Sequence, residues 1–283
     1  MADEPARAFQ NLPRSGGRTL VMGVVNLTPD SFYDGGRYPT AHSAIDRAWE
    51  LAAAGADVID LGGESSRPGS NPVSAVEELR RVIPVIAGLA GRLPVPISID
   101  TWKAEVAARA LEAGAEIVND ISALRFDPGL APVVAAAGGP YVMMHMLGTP
   151  RDMQERPVYR DLIGEIKEFF RERIAFAAAA GIDPARIVID PGIGFGKTLE
   201  HNLEILNGLG EFRRLGRPVL VGVSRKSFIG AILDRGPEDR LWGTAGAVAS
   251  AIWRGADIVR VHDVGPLKEM IAVIDRIKTA GAG

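Results

Sequence analysis

Short β-branched runs alternate along the chain with longer alanine- and charge-rich stretches, the pattern of strand–helix units laid around a parallel sheet. It predicts eight strands, near residues 20–25, 58–61, 96–99, 117–118, 141–144, 187–189, 219–223 and 258–261. Seven are short and apolar, as strands buried on both faces are. Pro96 can only open its strand, because it has no N–H for the ladder. Helices are predicted at 41–54, 73–90, 104–113, 130–137, 162–180, 199–207, 241–253 and 267–278, with Asp161 capping the fifth and Ser43 or Thr40 the first. A local repeat reinforces the scheme. Gly55-Ala56-Asp57-Val58-Ile59-Asp60 is matched by Gly114-Ala115-Glu116-Ile117-Val118-Asn119 and by Gly255-Ala256-Asp257-Ile258-Val259-Arg260. Each glycine can end a helix in the left-handed conformation, and each acidic residue reads as a loop or cap residue. No linker divides the chain. Eight units predict an α/β fold, a single-domain (β/α)8 TIM barrel over residues 19–280 behind an N-terminal extension, residues 1–18. The alternative, an open doubly wound sheet, usually carries a Gly-rich turn after its first strand. Here that place is taken by Asn26-Leu27-Thr28-Pro29-Asp30.

A polar residue follows each strand: Asn26, Asp60, Asp100, Asn119 with Asp120, His145, Asp190, Ser224, and Arg260 with His262. In a barrel these positions share the carboxy-terminal mouth, where active sites of this fold lie. One polar residue at a strand end often only bonds nearby backbone; a succession of them predicts a polar pocket. Arg67, Lys226, Arg260 and His262 supply cations or donors, and Asp100, Asp190 and Asp60 acceptors. Asn26 and Asn119 can do both, and Asn26 can offer an oxygen to a hard metal such as Mg2+. This mixture suits a ligand with an anionic end and a heterocycle rich in N–H groups.

Composition narrows the chemistry. The 283 residues include no cysteine, which excludes disulfides, thiolate nucleophiles, Cys-ligated zinc and Fe–S clusters. Basic and acidic side chains number 32 and 35, a balance of −3 that argues against a broad basic surface for nucleic acid but leaves a local anion site open. The first residues lack the apolar core of a signal peptide, and no apolar run approaches the ~20 residues of a membrane helix, so a cytoplasmic protein is expected. Two motifs fail. In Gly192-Ile193-Gly194-Phe195-Gly196-Lys197-Thr198, Pro191 stands where a P-loop needs its first glycine and Lys197 where a dinucleotide loop needs its third; a flexible pocket wall is expected there. In Gly222-Val223-Ser224-Arg225-Lys226, Lys226 replaces the last glycine of a nucleophile elbow.

The loops resemble one family closely. Asn26-Leu27-Thr28-Pro29-Asp30-Ser31-Phe32 and Gly62-Gly63-Glu64-Ser65-Ser66-Arg67-Pro68-Gly69 look like the two signatures of the dihydropteroate synthases. The likeness continues through Ile99-Asp100-Thr101, Asn119-Asp120-Ile121-Ser122, Met144-His145-Met146, Asp190 to Lys197, Ser224-Arg225-Lys226-Ser227 and Arg260-Val261-His262-Asp263. The resemblance implies a transferase of folate biosynthesis, a sulfonamide target. It joins 4-aminobenzoate to (7,8-dihydropterin-6-yl)methyl diphosphate with Mg2+ as cofactor, and releases diphosphate.

By the same resemblance Asn26 would ligate the metal. Ser66, Arg67, Arg260 and His262 would hold the diphosphate. Asp190, aided by Asn119, Asp100 and Lys226, would take the pterin, with Met144 and Phe195 as walls. Phe32 and Pro68 would close over the aminobenzoate, and Ser227 would receive its carboxylate. Asp100, Lys226 and Arg260 are the expected catalytic residues. Loops 27–37 and 64–71 would order over the site late, as mobile lids do. Two other functions are compatible with a pterin site: a corrinoid-dependent methyltransferase acting on a reduced folate, and a catalytically silent pterin binder. Residues 244–253 are almost uncharged. A helix apolar nearly all round is usually covered on more than one side, which fits the homodimer common in the family.

Overall fold

The computed structural model describes residues 18–28 and 41–280. The first lid from Pro29 on, Phe32 within it, and the N-terminal extension apart from Arg18 lie outside the described residues. Parallel strands β1 (Leu20–Asn26), β2 (Val58–Gly62), β3 (Ile97–Asp100), β4 (Ile117–Asp120), β5 (Tyr141–Met144) and β6 (Ile187–Asp190) pair in chain order. β1 also pairs with β8 (Ile258–Val261), and β8 with β7 (Leu220–Gly222). A bridge between Ile189 and Val219 closes the ring, with the Ile189 N–H on the Pro218 carbonyl at 3.0 Å. The expected barrel is therefore present.

The helices outside it are α1 (Ala41–Ala53), α2 (Ala75–Leu89), α3 (Ala104–Glu112), α4 (Leu130–Ala137), α5 (Leu162–Ala179), α6 (Leu199–Asn207), α7 (Gly210–Arg213), α8 (Ser227–Leu233), α9 (Leu241–Trp253) and α10 (Val264–Thr279). Ser74 caps α2 and Asp161 caps α5 through backbone N–H groups three residues on. The four-residue α7 was not expected.

Side chains alternate across a strand, so every strand of the barrel but β3, whose inward residue is the buried Ser98, feeds two cores. Leu20, Met22, Val58, Ile117, Val142, Val188, Leu220 and Ile258 form one cluster inside the barrel. Val21, Ile59, Ile99, Val118, Met143, Ile189, Val221 and Val259 belong to the larger cluster under the helices. The inner parity has a consequence at the mouth. Two residues past Val58, Ile117, Val188 and Ile258 stand Asp60, Asn119, Asp190 and Arg260, so the same alternation that fills the floor with apolar side chains aims these polar ones inward.

The repeat also has a physical account. Gly55, Gly114 and Gly255 all take positive φ, between 98° and 113°, where a side chain would be strained. The acidic residue after two of them does more than cap a loop. Asp57 accepts the Val21 N–H and Asp257 the Val219 N–H, each at 2.9 Å, tying the start of the neighbouring strand. Arg18 and Lys268 neutralise Asp57.

Candidate active site

Arg260 lies at the centre of the mouth. Its Nε donates to Asp60 Oδ2 at 2.6 Å and its Nη2 to Asp100 Oδ2 at 2.9 Å. Asn119 Nδ2 donates to the same Asp60 oxygen at 3.1 Å. Asp60 is fully buried and organises its neighbours, while its Oδ1 has no partner among the described residues. Burial, opposed by Arg260 and reinforced by Asp60, pushes the Asp100 carboxyl up to about 7. Two carboxylates thus fix the guanidinium, and part of its surface stays open to the mouth.

Asp190 opens the second half of the site. Its Oδ1 accepts the Gly192 N–H at 2.7 Å, and burial raises its pKa to about 6. Lys226 Nζ stands 4.1 Å from the centre of the Phe195 ring, and burial lowers its pKa to about 8. Arg225 aims it there. Arg225 has a left-handed φ of 57° and is held by Asp263 at 2.7 and 3.0 Å, so the chain turns between β7 and α8. Met144 packs with Ile121, Met146 and Met153, and Phe195, Trp102 and Phe126 join them. This is an apolar wall beside the acceptors.

The 192–197 loop is a bonded wall rather than the flexible one expected. Gly194 N–H meets Asn202 Oδ1 at 2.7 Å, Gln154 Nε2 meets the Gly194 carbonyl at 2.8 Å, and the Tyr159 hydroxyl meets the Gly196 carbonyl at 2.9 Å. A Cβ on Gly192 would come within 2.0 Å of the His145 carbonyl, so a glycine is required there. Lys197 completes the wall. It is buried, donates to the Phe195 carbonyl at 2.9 Å, and lies 3.0 Å from His145 Nδ1. Burial lowers its pKa to about 7.

His262 is a donor rather than a cation. Burial, reinforced by Arg260 and Arg225, lowers its pKa to about 3. Its backbone N–H already donates to Ser224 Oγ at 3.2 Å. The Ser224 proton is then free for His262 Nδ1 at 3.0 Å, which leaves Nε2–H as the outward donor. Asn26 Oδ1 lies near Gly62 and Asp100, 3.7 Å from where a Gly62 Cβ would stand. Ser66 lines a small cavity with Asp100. Arg67, Pro68 and Ser227 are exposed.

Two members of the expected ring face the other way. His145 and Asp120 each follow an inward residue, so parity turns them outward. His145 sits edge-on to Phe169 at 4.8 Å, beneath the mouth. Asp120 is fully buried and accepts from Ser122 N, Leu124 N and the Tyr141 hydroxyl. It holds a turn in which Ala123 and Leu124 both have positive φ. The sequence reading missed Lys197 and also an ion triad of Lys103, Glu64 and Glu78. The buried face of α2 carries Glu78 among Val82, Val85, Ile86 and Leu89, a charge at a helix position reserved for apolar residues, and that was the available signal.

A cavity of about 400 Å³ opens at the opposite end of the barrel, lined by Pro96, Leu111, Glu116, Pro140 and Arg186 among others. It offers one carboxylate and one guanidinium and lies at the strand starts. The convergent polar groups all lie at the strand ends, and the chemistry is assigned there.

Residues 22–262 match the family model described as pterin binding enzyme. The chain is 49% identical over 274 residues to a dihydropteroate synthase of Synechocystis sp., covering 96% of this chain and 95% of that protein. It is 47% identical over 264 residues to the dihydropteroate synthase of Bacillus subtilis, covering 93% and 90%. The Yersinia pestis dihydropteroate synthase in a sulfonamide drug complex is similar with a TM-score of 0.89 at 43% identity, over 94% of this chain and 96% of that one. The Xanthomonas albilineans enzyme with 4-aminobenzoic acid gives 0.87 at 46%, over 92% and 93%.

Proposed function

The chain belongs to the pterin-binding enzymes and, among them, to the dihydropteroate synthases, and from that premise we propose that it condenses (7,8-dihydropterin-6-yl)methyl diphosphate with 4-aminobenzoate, releasing diphosphate. The observation that carries the reading is the pairing at one mouth of a fixed guanidinium, Arg260, with a buried carboxylate acceptor, Asp190. Asp190 and Asn119 take the N–H edge of the pterin between Met144 and Phe195, with Lys226 stacked on Phe195. Arg260, the neutral His262, Ser66 and Arg67 receive the diphosphate, where donors fixed in a dry site act most strongly on the charge developing at the leaving group. Pro68 closes over the aminobenzoate, and Ser227 at the start of α8 receives its carboxylate.

The site fits Mg2+. Asn26 offers one neutral oxygen beside Asp100, and among the described residues no group of three or more acidic or histidine side chains forms a separate metal site. One protein oxygen suits an ion that keeps several waters and takes its other ligands from substrate phosphates. When bound, Mg2+ neutralises charge on the diphosphate. The protein's own part is dissociative in character. Asp100 stabilises positive charge on the pterin as diphosphate departs with the bonding pair, and the neutral aromatic amine then attacks the methylene and gives its surplus proton to water, so no strong base is needed.

The direct test incubates the protein with pterin diphosphate, 4-aminobenzoate and Mg2+ and follows dihydropteroate and diphosphate by mass. Product is expected; binding of both substrates with no diphosphate released refutes the reading. Loss of diphosphate strictly dependent on amine nucleophilicity would exclude the dissociative course. The pH profile is a second check. Asp100 and Asp190 are useful ionised, and burial raises both pKa values, to about 7 and about 6, so each becomes protonated as pH falls through that range. Lys226 loses its proton above about 8. A bell-shaped kcat/KM with its maximum between pH 7 and 8 is expected, because this parameter reports the free enzyme. An acid limb near the ordinary carboxylate range contradicts the assignment.

No helix among the described residues is long and apolar enough to cross a membrane. Among the described residues α9 is covered on one side only: Thr244, Val248, Ala251 and Ile252 are buried, while Trp242 and Trp253 are 83% and 63% exposed. Leu203 on α6, Ile232 and Leu233 on α8 and Ile277 on α10 are exposed on the neighbouring helices. An apolar area of this kind marks an interaction site, and a second copy of the chain is the proposed cover. Sedimentation should show a dimer at micromolar concentration, and Trp253→Glu should shift it to monomer; a wild-type monomer overturns this.

A further inference from the structure

Three charges behind the mouth, Lys103 and Glu78 buried and Glu64 partly so, take no part in the chemistry above. Lys103, between β3 and α3, donates from Nζ to Glu64 and to Glu78. Glu78 is fully buried on α2, and its Oε1 has no partner among the described residues. Lys103 Nζ also stands 4.6 Å from the Trp102 ring centre. Buried ion groups contribute little net stability compared with apolar packing, because desolvation offsets their attraction. Their placement therefore calls for another account.

That account lies in what Glu64 holds. It begins the loop that carries Ser66, Arg67 and Pro68, and its Oε1 accepts the N–H of Val73 at the loop's far end at 3.2 Å. One carboxylate thus ties both ends of the loop, while its other oxygen is fixed by Lys103. Inside the loop Ser70 Oγ donates to the Ser65 carbonyl at 2.5 Å, and Ser70 N–H to the Arg67 carbonyl at 3.0 Å. Arg81 holds the Gly63 carbonyl at 2.8 Å, and Gly69 N–H meets the Pro150 carbonyl at 3.0 Å. A cavity of about 20 Å³, lined by Glu64, Ser66, Glu78 and Asp100 among others, separates the triad from the mouth. That is room for one water. Loop and catalytic carboxylate therefore share one buried wall.

We propose that Lys103 is a positioning residue for diphosphate capture: through Glu64, with Glu78 as its fixed counter-charge, it sets where the 64–73 loop presents Ser66 and Arg67. The inference rests on the reading of Ser66 and Arg67 as diphosphate ligands. Lys103 touches no substrate. Its action is aimed at the anion end of the ligand, because the pterin acceptors Asp190 and Asn119 end β6 and β4, away from the 64–73 loop.

Calorimetric titration of the full chain in Mg2+ with two probes tests this. The probes are inorganic pyrophosphate and the dihydropterin alcohol that lacks the diphosphate. Glu64→Gln keeps the shape and removes the charge. It should fold as the wild type does, lose about tenfold in pyrophosphate affinity, and bind the pterin alcohol unchanged. In an Arg67→Ala background, Glu64→Gln should cost less than it does alone, because only Ser66 is left for the loop to present. Lys103→Arg, which keeps the charge, should bind pyrophosphate better than Lys103→Met, and this pair serves if the glutamine variant does not fold. Equal losses for both probes would reduce the triad to a structural role. No loss, or an additive loss in the double variant, also overturns the proposal. Unchanged pyrophosphate affinity in Arg67→Ala alone would show the ligand assignment itself to be wrong, and this inference falls with it. Weakening by Arg67→Ala with a silent Glu64→Gln defeats the positioning role alone.

Discussion

Arg260→Ala should lower kcat/KM by about a thousandfold, the scale of losing a fixed donor group at a developing charge. It should also destabilise the fold. The guanidinium is the partner of two carboxylates, Asp60 at 2.6 Å and Asp100 at 2.9 Å. Removing one member of a buried ion cluster costs about 3–5 kcal/mol, because the remaining charge is left without compensation. The size of that cost depends on pH in a calculable direction. Asp100 already has a pKa near 7, and without Arg260 it rises further, so the variant takes up a proton that relieves the repulsion. The stability deficit should therefore be smaller at pH 6 than at pH 8. Denaturant melts at the two pH values check it, and a deficit that grows on acidification would contradict the geometry. Arg260→Lys should recover part of the stability and little of the activity, since a lysine cannot reach both carboxylates and phosphate oxygens with a planar fork.

The second variant separates activity from stability. Asp190→Asn should reduce pterin affinity by about a thousandfold, the loss expected from two charge-assisted hydrogen bonds. An amide has one acceptor oxygen, and the Gly192 N–H uses the acceptor nearest to it at 2.7 Å. The amide NH2 is then turned toward the N–H edge of the ligand, donor against donor. The fold should not suffer. Burial disfavours the ionised Asp190 and raises its pKa to about 6. Above that pH the folded state carries a charge that the unfolded chain would hold more easily, and asparagine removes this burden. An unchanged or raised melting temperature at pH 8, with binding lost, is the expected pair. A large drop in melting temperature would mean that Asp190 is a structural anchor instead.

These two contrasting outcomes show what each level of description supplied. The barrel was legible because strands buried on both faces read as apolar runs, and glycines at Gly55, Gly114 and Gly255 punctuated them. The residue types of the site were legible because they follow the strands in order. Asp60, read from the sequence as one acceptor among three, is spent on fixing Arg260 and Asn119. His145 and Asp120 were drawn into the ring because adjacency in sequence hides the parity that turns one of two neighbours inward and the other outward. That parity is contained in the sequence once the floor residue of each strand is known, since Asn119 and Asp190 follow Ile117 and Val188 by two. Lys103, Glu64 and Glu78 were not legible together. They come from a turn, a loop and a helix, 25 and 39 residues apart, and no local pattern links them.

The sequence by itself determined the order of strands and helices, the face on which function lies, and the family. Hydrophobic period and glycine placement are local properties, and the loop motifs are written contiguously. Only the tertiary structure decided the charge state and freedom of the groups. Arg260 is half spoken for by carboxylates from β2 and β3, His262 is a neutral donor, and the glycine-rich 192–197 loop is tied by Asn202, Gln154 and Tyr159. The reason is physical: desolvation and ion pairing depend on what else is brought within a few ångströms, and in a closed barrel that is settled by strands distant in the chain.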